Sequence, residues 1–74
     1  MQQQRQPIQI DNIAELYVLD VVEGGGAPDP WSSPPDGGIT SCGPSEGTNV
    51  HMIQWHHGGQ ICQVNAIVGV PAEK

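Results

Sequence analysis

Asn49-Val50-His51-Met52-Ile53-Gln54-Trp55-His56-His57-Gly58-Gly59-Gln60-Ile61-Cys62-Gln63-Val64-Asn65-Ala66-Ile67-Val68 carries the clearest structural signal in the chain. Two runs that mix apolar and polar residues flank a Gly-Gly pair. Two residues of this kind make a tight hairpin loop, because both central positions need positive φ. A two-residue loop also sets the register. It places His57 opposite Gln60, Trp55 opposite Cys62, Ile53 opposite Val64 and His51 opposite Ala66. One face then carries Trp55, Ile53, Cys62, Val64 and Ala66. The other sets Gln54 against Gln63 and Met52 against Asn65. The sequence therefore predicts a C-terminal β-hairpin at about 49–69, ended by Gly69 and Pro71. An isolated hairpin is marginal in water, so a further strand is required. Ile39-Thr40-Ser41-Cys42 and Leu16 to Val22 are the candidates.

Working backward, residues 26–48 form a Pro/Gly-rich loop without periodicity, a linker or an ordered loop pinned by Trp31. Pro34-Pro35-Asp36-Gly37 reads as a turn. Further upstream, Ala14-Glu15-Leu16-Tyr17-Val18-Leu19-Asp20-Val21-Val22-Glu23-Gly24-Gly25 is an apolar, acid-flanked run that stops at glycine. Asn12 and Glu15 have the spacing of a capping box, which would start a helix at Ile13. Val18, Val21 and Val22 are β-branched and favour a strand, with Tyr17, Leu19 and Val21 on one face. The 13–23 segment is thus helix or strand. Ahead of it, Ile8-Gln9-Ile10 alternates too briefly to assign, and the Gln-rich start reads as disordered. The fold class expected is small and mostly β or irregular.

Length and composition narrow the function. A 74-residue chain holds one domain at most. It has no Phe, one Tyr, two Trp, ten Gly and seven Pro, so its core is thin. Net charge is −6, with Arg5 and Lys74 the only cations. That disfavours nucleic acid, which needs clustered Lys and Arg, and disfavours charge-driven membrane binding. No run approaches the roughly 20 apolar residues of a membrane span. Met1-Gln2-Gln3-Gln4-Arg5 is not followed by the apolar core of about 7 residues that a secretory signal needs.

Catalysis and metal binding find little support. His56 and Cys62 would sit near a hairpin tip with no cleft. Asp29, Asp36 and Glu46 lie apart, with no paired arrangement for acid–base work. His51 and His57 are about 20 Å apart along a strand, and His56 points the other way, whereas ligands must converge to about 2 Å from one ion. No enzyme, metal or cofactor is expected. Cys42 and Cys62 permit one disulfide, the alternative being two reduced thiols. A bridge closing about 20 residues would contribute about 3 kcal/mol in the loop-entropy picture.

Leu19-Asp20-Val21-Val22-Glu23-Gly24-Gly25 resembles the end of a double-glycine leader, as in colicin-V-type microcins and other class II bacteriocin precursors. The resemblance covers about a dozen residues. It implies cleavage after Gly24-Gly25 by a peptidase fused to an exporter, and aliphatic anchors at the fourth, seventh and twelfth positions before the cut. Those are Val22, Leu19 and Ala14, with Ala14 a small substitute and Leu16 a further aliphatic of the same segment. Tyr17-Val18-Leu19-Asp20 is also similar to the leader box of FxLD-type lanthipeptide precursors, with Tyr for Phe, which implies a modifying enzyme that binds the leader. Ser32, Ser33, Thr40, Ser41, Ser45 and Thr48 would be its substrates, although two cysteines are sparse for such a product.

On this resemblance residues 1–25 are a leader-like segment and 26–74 a core peptide. The product would be a secreted antibacterial or signalling peptide, freed on export and directed at a protein receptor. The competing expectation is a small mostly-β structural or protein-interaction subunit, cytoplasmic, that keeps the whole chain. Pairing and burial of Leu16, Val18, Leu19 and Val22 against residues 50–68 would favour the subunit. A loose N-terminal third would favour the precursor.

Overall fold

The computed structural model describes residues 6–22, 25–43 and 49–71. They form a curled antiparallel sheet of five strands: β1 (Ile8–Ile10), β2 (Ile13–Val21), β3 (Thr40–Ser41), β4 (Val50–His57) and β5 (Gln60–Gly69). The order across the sheet is β1-β2-β5-β4-β3. The small mostly-β class is therefore correct.

The hairpin forms in the expected register, from His57 opposite Gln60 through His51 opposite Ala66 to Val50 opposite Ile67. Gly58 and Gly59 take φ of 59° and 84°, the pair of positive values that lets a two-residue loop match the strand twist. Both candidate extra strands join it: β2 pairs with β5, and β3 pairs with β4. The short Ile8–Ile10 segment adds β1 on the far side of β2.

Of the two alternatives for the 13–23 segment, the strand is the one formed, over Ile13–Val21. Asn12 does not cap a helix: Asp11 and Asn12 form the turn between β1 and β2. The face assignment also changes. Val18, opposite Val68, is fully buried, while Leu19 is 37% exposed and Tyr17 only half-buried. The reason is a β-bulge. The register shifts between Val18 and Asp20, so one extra residue sits on β2. Val18 and Val21 both turn inward, and Leu19 and Asp20 both stay out, which keeps the carboxylate of Asp20 from the core.

The core is Ile10, Val18, Ile39, Ile53, Trp55, Val64, Ala66 and Val68. It draws on strands from both sides of Gly25. The two ends of the sheet curl until they meet. Ile10 and Ile39 form a parallel bridge, and Asp11 N donates to Ile39 O at 2.8 Å. The Asn12 amide accepts from Ser41 N at 2.9 Å and donates to Ser41 O at 3.1 Å. The 26–38 stretch is an ordered loop. Asp29 Oδ1 accepts from the backbone of Trp31 and Ser32, Pro30 is buried, and Trp31 packs on the core while its indole donates to Gln6 O. Trp55 Nε1 donates to Ser33 O at 2.7 Å. Both indole nitrogens find a carbonyl, and for the buried Trp55 burial requires one.

Candidate functional site

The residues read as leader anchors lie on or beside β2. Ala14 is exposed, and its carbonyl accepts from Gln9 Nε2 at 2.6 Å. Leu16 packs against the core. Leu19 lies outward with its Cδ1 against Gly69. Val22 is 51% exposed, and its N–H donates to Asn65 O at 2.9 Å. Gly25 is exposed with φ 63°. Gly24 falls outside the described residues. Of these positions Leu16 faces the core, while Ala14, Leu19 and Val22 are exposed. Val18, the most deeply buried residue of β2, was not among the anchors.

The Cys42–Cys62 bridge is not formed; both are free thiols. The register explains this. Cys42 N donates to Met52 O, and the Cys42 Sγ lies 4.0 Å from Gln54 Oε1 on the outer face. Cys62 is opposite Trp55 and packs toward the core. The two thiols are on opposite faces of the sheet, with β4 between their strands.

The histidines separate as the register requires. His56 is on the outer face opposite Ile61, and His57 Nδ1 donates to Pro34 O at 2.8 Å. His51 differs from a solvated side chain: it is buried, and its Nδ1 is hydrogen-bonded to Ser41 Oγ at 2.8 Å. Ser41 Oγ also accepts from Gly43 N. This Ser–His contact ties β3 to β4 beneath the sheet. Among the described residues no three His, Cys, Asp or Glu side chains gather as metal ligands would.

The feature with binding character is the outer side of β4 and β5. From Gly47 to Ala72 the chain has no Asp, Glu, Lys or Arg, in a molecule of net charge −6. Gln54 stands opposite Gln63, Met52 opposite Asn65, and His56 opposite Ile61. Met52, Gln63, Val64 and Asn65 line a shallow groove of about 210 Å³. Gln63 Nε2 reaches Met52 Sδ at 3.0 Å, and Ile61 beside it is 61% exposed. Depletion of charge around a half-buried Met is a compositional feature of an interface centre.

The same strand has an open edge. β5 is ten residues long, but β2 pairs only with Ala66–Gly69, plus the single bond from Val22 N to Asn65 O. In the hairpin, Gln60, Cys62 and Val64 turn their backbone groups to β4, so Ile61 and Gln63 turn theirs away from it. Among the described residues no strand pairs with β5 there. Sequence reading identified these residues only as the polar face of a hairpin. The uncharged run was the signal that could have found them. The chain matches no protein-family model, no curated protein and no solved structure.

Proposed function

We propose that this chain is a non-catalytic β-sheet interaction subunit that works with its N-terminal third in place and binds protein through the uncharged side of β4 and β5. The observation that carries the proposal is the position of β2. It lies between β1 and β5, with Val18 fully buried opposite Val68. A leader that must be drawn into a peptidase cleft or a modifying enzyme is best left loose, whereas β2 would have to leave two neighbours first. The shallow groove and amide-rich face suit a protein partner better than a small substrate, which is held in deeper, more enclosed sites.

A double-glycine precursor is the second reading, favoured by one observation. Leu19 and Val22 are exposed, and Gly25 and Gly26 both have positive φ with nothing within 4 Å of an added Cβ. A peptidase could approach this turn.

Intact mass of the chain recovered from its host separates the two. The subunit reading expects a species that still contains residues 1–25 at steady state. A species beginning at Gly26 would sink it and establish the precursor.

A further inference from the structure

We propose that the partner of the open β5 edge is a second copy of the same chain, paired antiparallel through Gln60–Val64 about a two-fold axis at Cys62. The inference rests on the reading that β2 stays in the sheet, because β2 defines where the open edge begins.

Unpaired strand edges invite further pairing, and proteins guard them with charge, proline, bulges or covering chain. Three other stretches of this sheet carry such guards. Pro7 precedes β1. The C-terminal end of β2 has its bulge, and Asp20 Oδ1 accepts from Val21 N at 2.8 Å. The N-terminal half of β2, beyond the pairing of Tyr17 with Gly69, carries Glu15. The free sides of β1 and β3 are turned on one another at Ile10, Ile39, Asn12 and Ser41. Among the described residues, Gln60-Ile61-Cys62-Gln63-Val64 has none of these protections. The sequence has no charge within it, and its exposed aliphatic, Ile61, adjoins the edge.

The segment fits itself. In the two-fold register Ile61 faces Gln63 of the second copy, and each exchanges N–H···O bonds with the other, giving four bonds across the axis. Gln60 faces Val64 of the second copy, so no like charges are opposed. Two chains of net charge −6 repel overall, and this uncharged strand is where they approach at least cost. The end of the slot is set by Val22, whose N–H occupies Asn65 O. The element of the second copy that abuts it is the Gly58-Gly59 tip, which has no side chains. Pairing also covers Ile61 and Val22, two of the four large hydrophobic residues that stand exposed among the described residues. A single unguarded edge among the described residues gives a closed pair rather than a filament.

At the axis Cys62 meets Cys62 of the second copy as a non-hydrogen-bonded pair. Their Cα atoms then lie about 4.5 Å apart, within the range of about 4.4–6.8 Å that a disulfide spans. The thiol therefore reports the pairing. Full-length chain carrying Cys42→Ser is treated with diamide, which takes two electrons and two protons as two thiols join in one S–S bond. Full-length chain carrying Cys62→Ser, which keeps the more exposed Cys42, is the control. The Cys62 chain is expected to cross-link about tenfold faster or more, because pairing raises the local thiol concentration.

Sedimentation velocity over a dilution series of the reduced native chain is expected to show a monomer–dimer equilibrium. Ile61→Lys places a guard on the exposed edge and is expected to weaken association about tenfold or more, with thermal melting retained. That variant lowers the net negative charge, so weaker association would reflect the blocked edge and not added repulsion. A folded chain that stays monomeric at every concentration, or a Cys62 chain that cross-links no faster than the Cys42 chain, overturns the dimer. Either result leaves the retained-subunit reading standing, since intact mass tests that separately.

Discussion

Asn12 joins the ends of the sheet with one side chain. Its amide accepts from Ser41 N and donates to Ser41 O, as a peptide group of a neighbouring strand would. Asn12→Ala removes both bonds and is expected to lower stability by about 1 kcal/mol in urea unfolding, a modest loss because water can reach this exposed pair. Asn12→Asp keeps the acceptor, loses the donor and sets a carboxylate oxygen near the Ser41 carbonyl, so it should rescue little. If Asp matched Asn, the donor half of the contact would carry no weight. Local pattern pointed elsewhere at this residue. Asn12 and Glu15 have capping-box spacing, but the partner that matters is 29 residues away, and no short-range signal encodes it. His51 shows the same limit. Its place on the hairpin face was legible, yet its burial depends on Ser41 arriving on β3.

At the scale of elements, the hairpin and β2 were legible to different degrees for a physical reason. Gly58-Gly59 allows a single tight loop, and every pairing from His57 to His51 follows from it. β2 lacks such an anchor. Its alternation breaks at the bulge between Val18 and Asp20, so a strict two-residue period put Tyr17, Leu19 and Val21 inside when Val18 and Val21 are the inward residues. The bulge makes an unusual deletion tolerable. Without Leu19, the order Val18, Asp20, Val21 alternates in, out, in with no bulge. Deleting Leu19 should therefore keep a cooperative thermal transition. Deleting Tyr17, where no extra residue exists, turns Leu16 and all of β2 before it to the wrong face, and should cost at least about 2 kcal/mol more. Equal losses from the two deletions would mean that the bulge does not set the phase of β2. The interaction surface was the least legible part. Its residues were visible as a polar face, but its open edge depends on where β2 stops pairing, which is a property of two strands and not of either sequence run.

At the scale of the molecule, the curled sheet makes the N-terminal third part of the core. Ile10 and Val18 come from before Gly25 and pack with Ile39, Ile53, Trp55, Val64, Ala66 and Val68 from after it. Burying an aliphatic side chain of this size is worth about 1.5–3 kcal/mol. A chain this short has a total stability of only about 4–11 kcal/mol at 0.05–0.15 kcal/mol per residue. Removing residues 1–25 deletes two such side chains and two strands, and exposes the inner sides of Ile39 and Val68. Residues 26–74 alone should therefore lack a cooperative thermal transition by circular dichroism. The missing piece is itself a strand pair, β1 and β2, whose contacts to the remainder include the β2–β5 ladder, the seam through Ile10, Asp11 and Asn12, and the Trp31 indole on Gln6 O. Adding a synthetic peptide of residues 1–25 in trans should restore the transition, with a midpoint that rises with peptide concentration as mass action requires. A peptide carrying Val18→Asp, which would bury a carboxylate at the centre of the interface, should fail to restore it. Full cooperativity in residues 26–74 without the peptide would show that the later strands close a core of their own, and the case for a retained N-terminal third would then lose its physical basis.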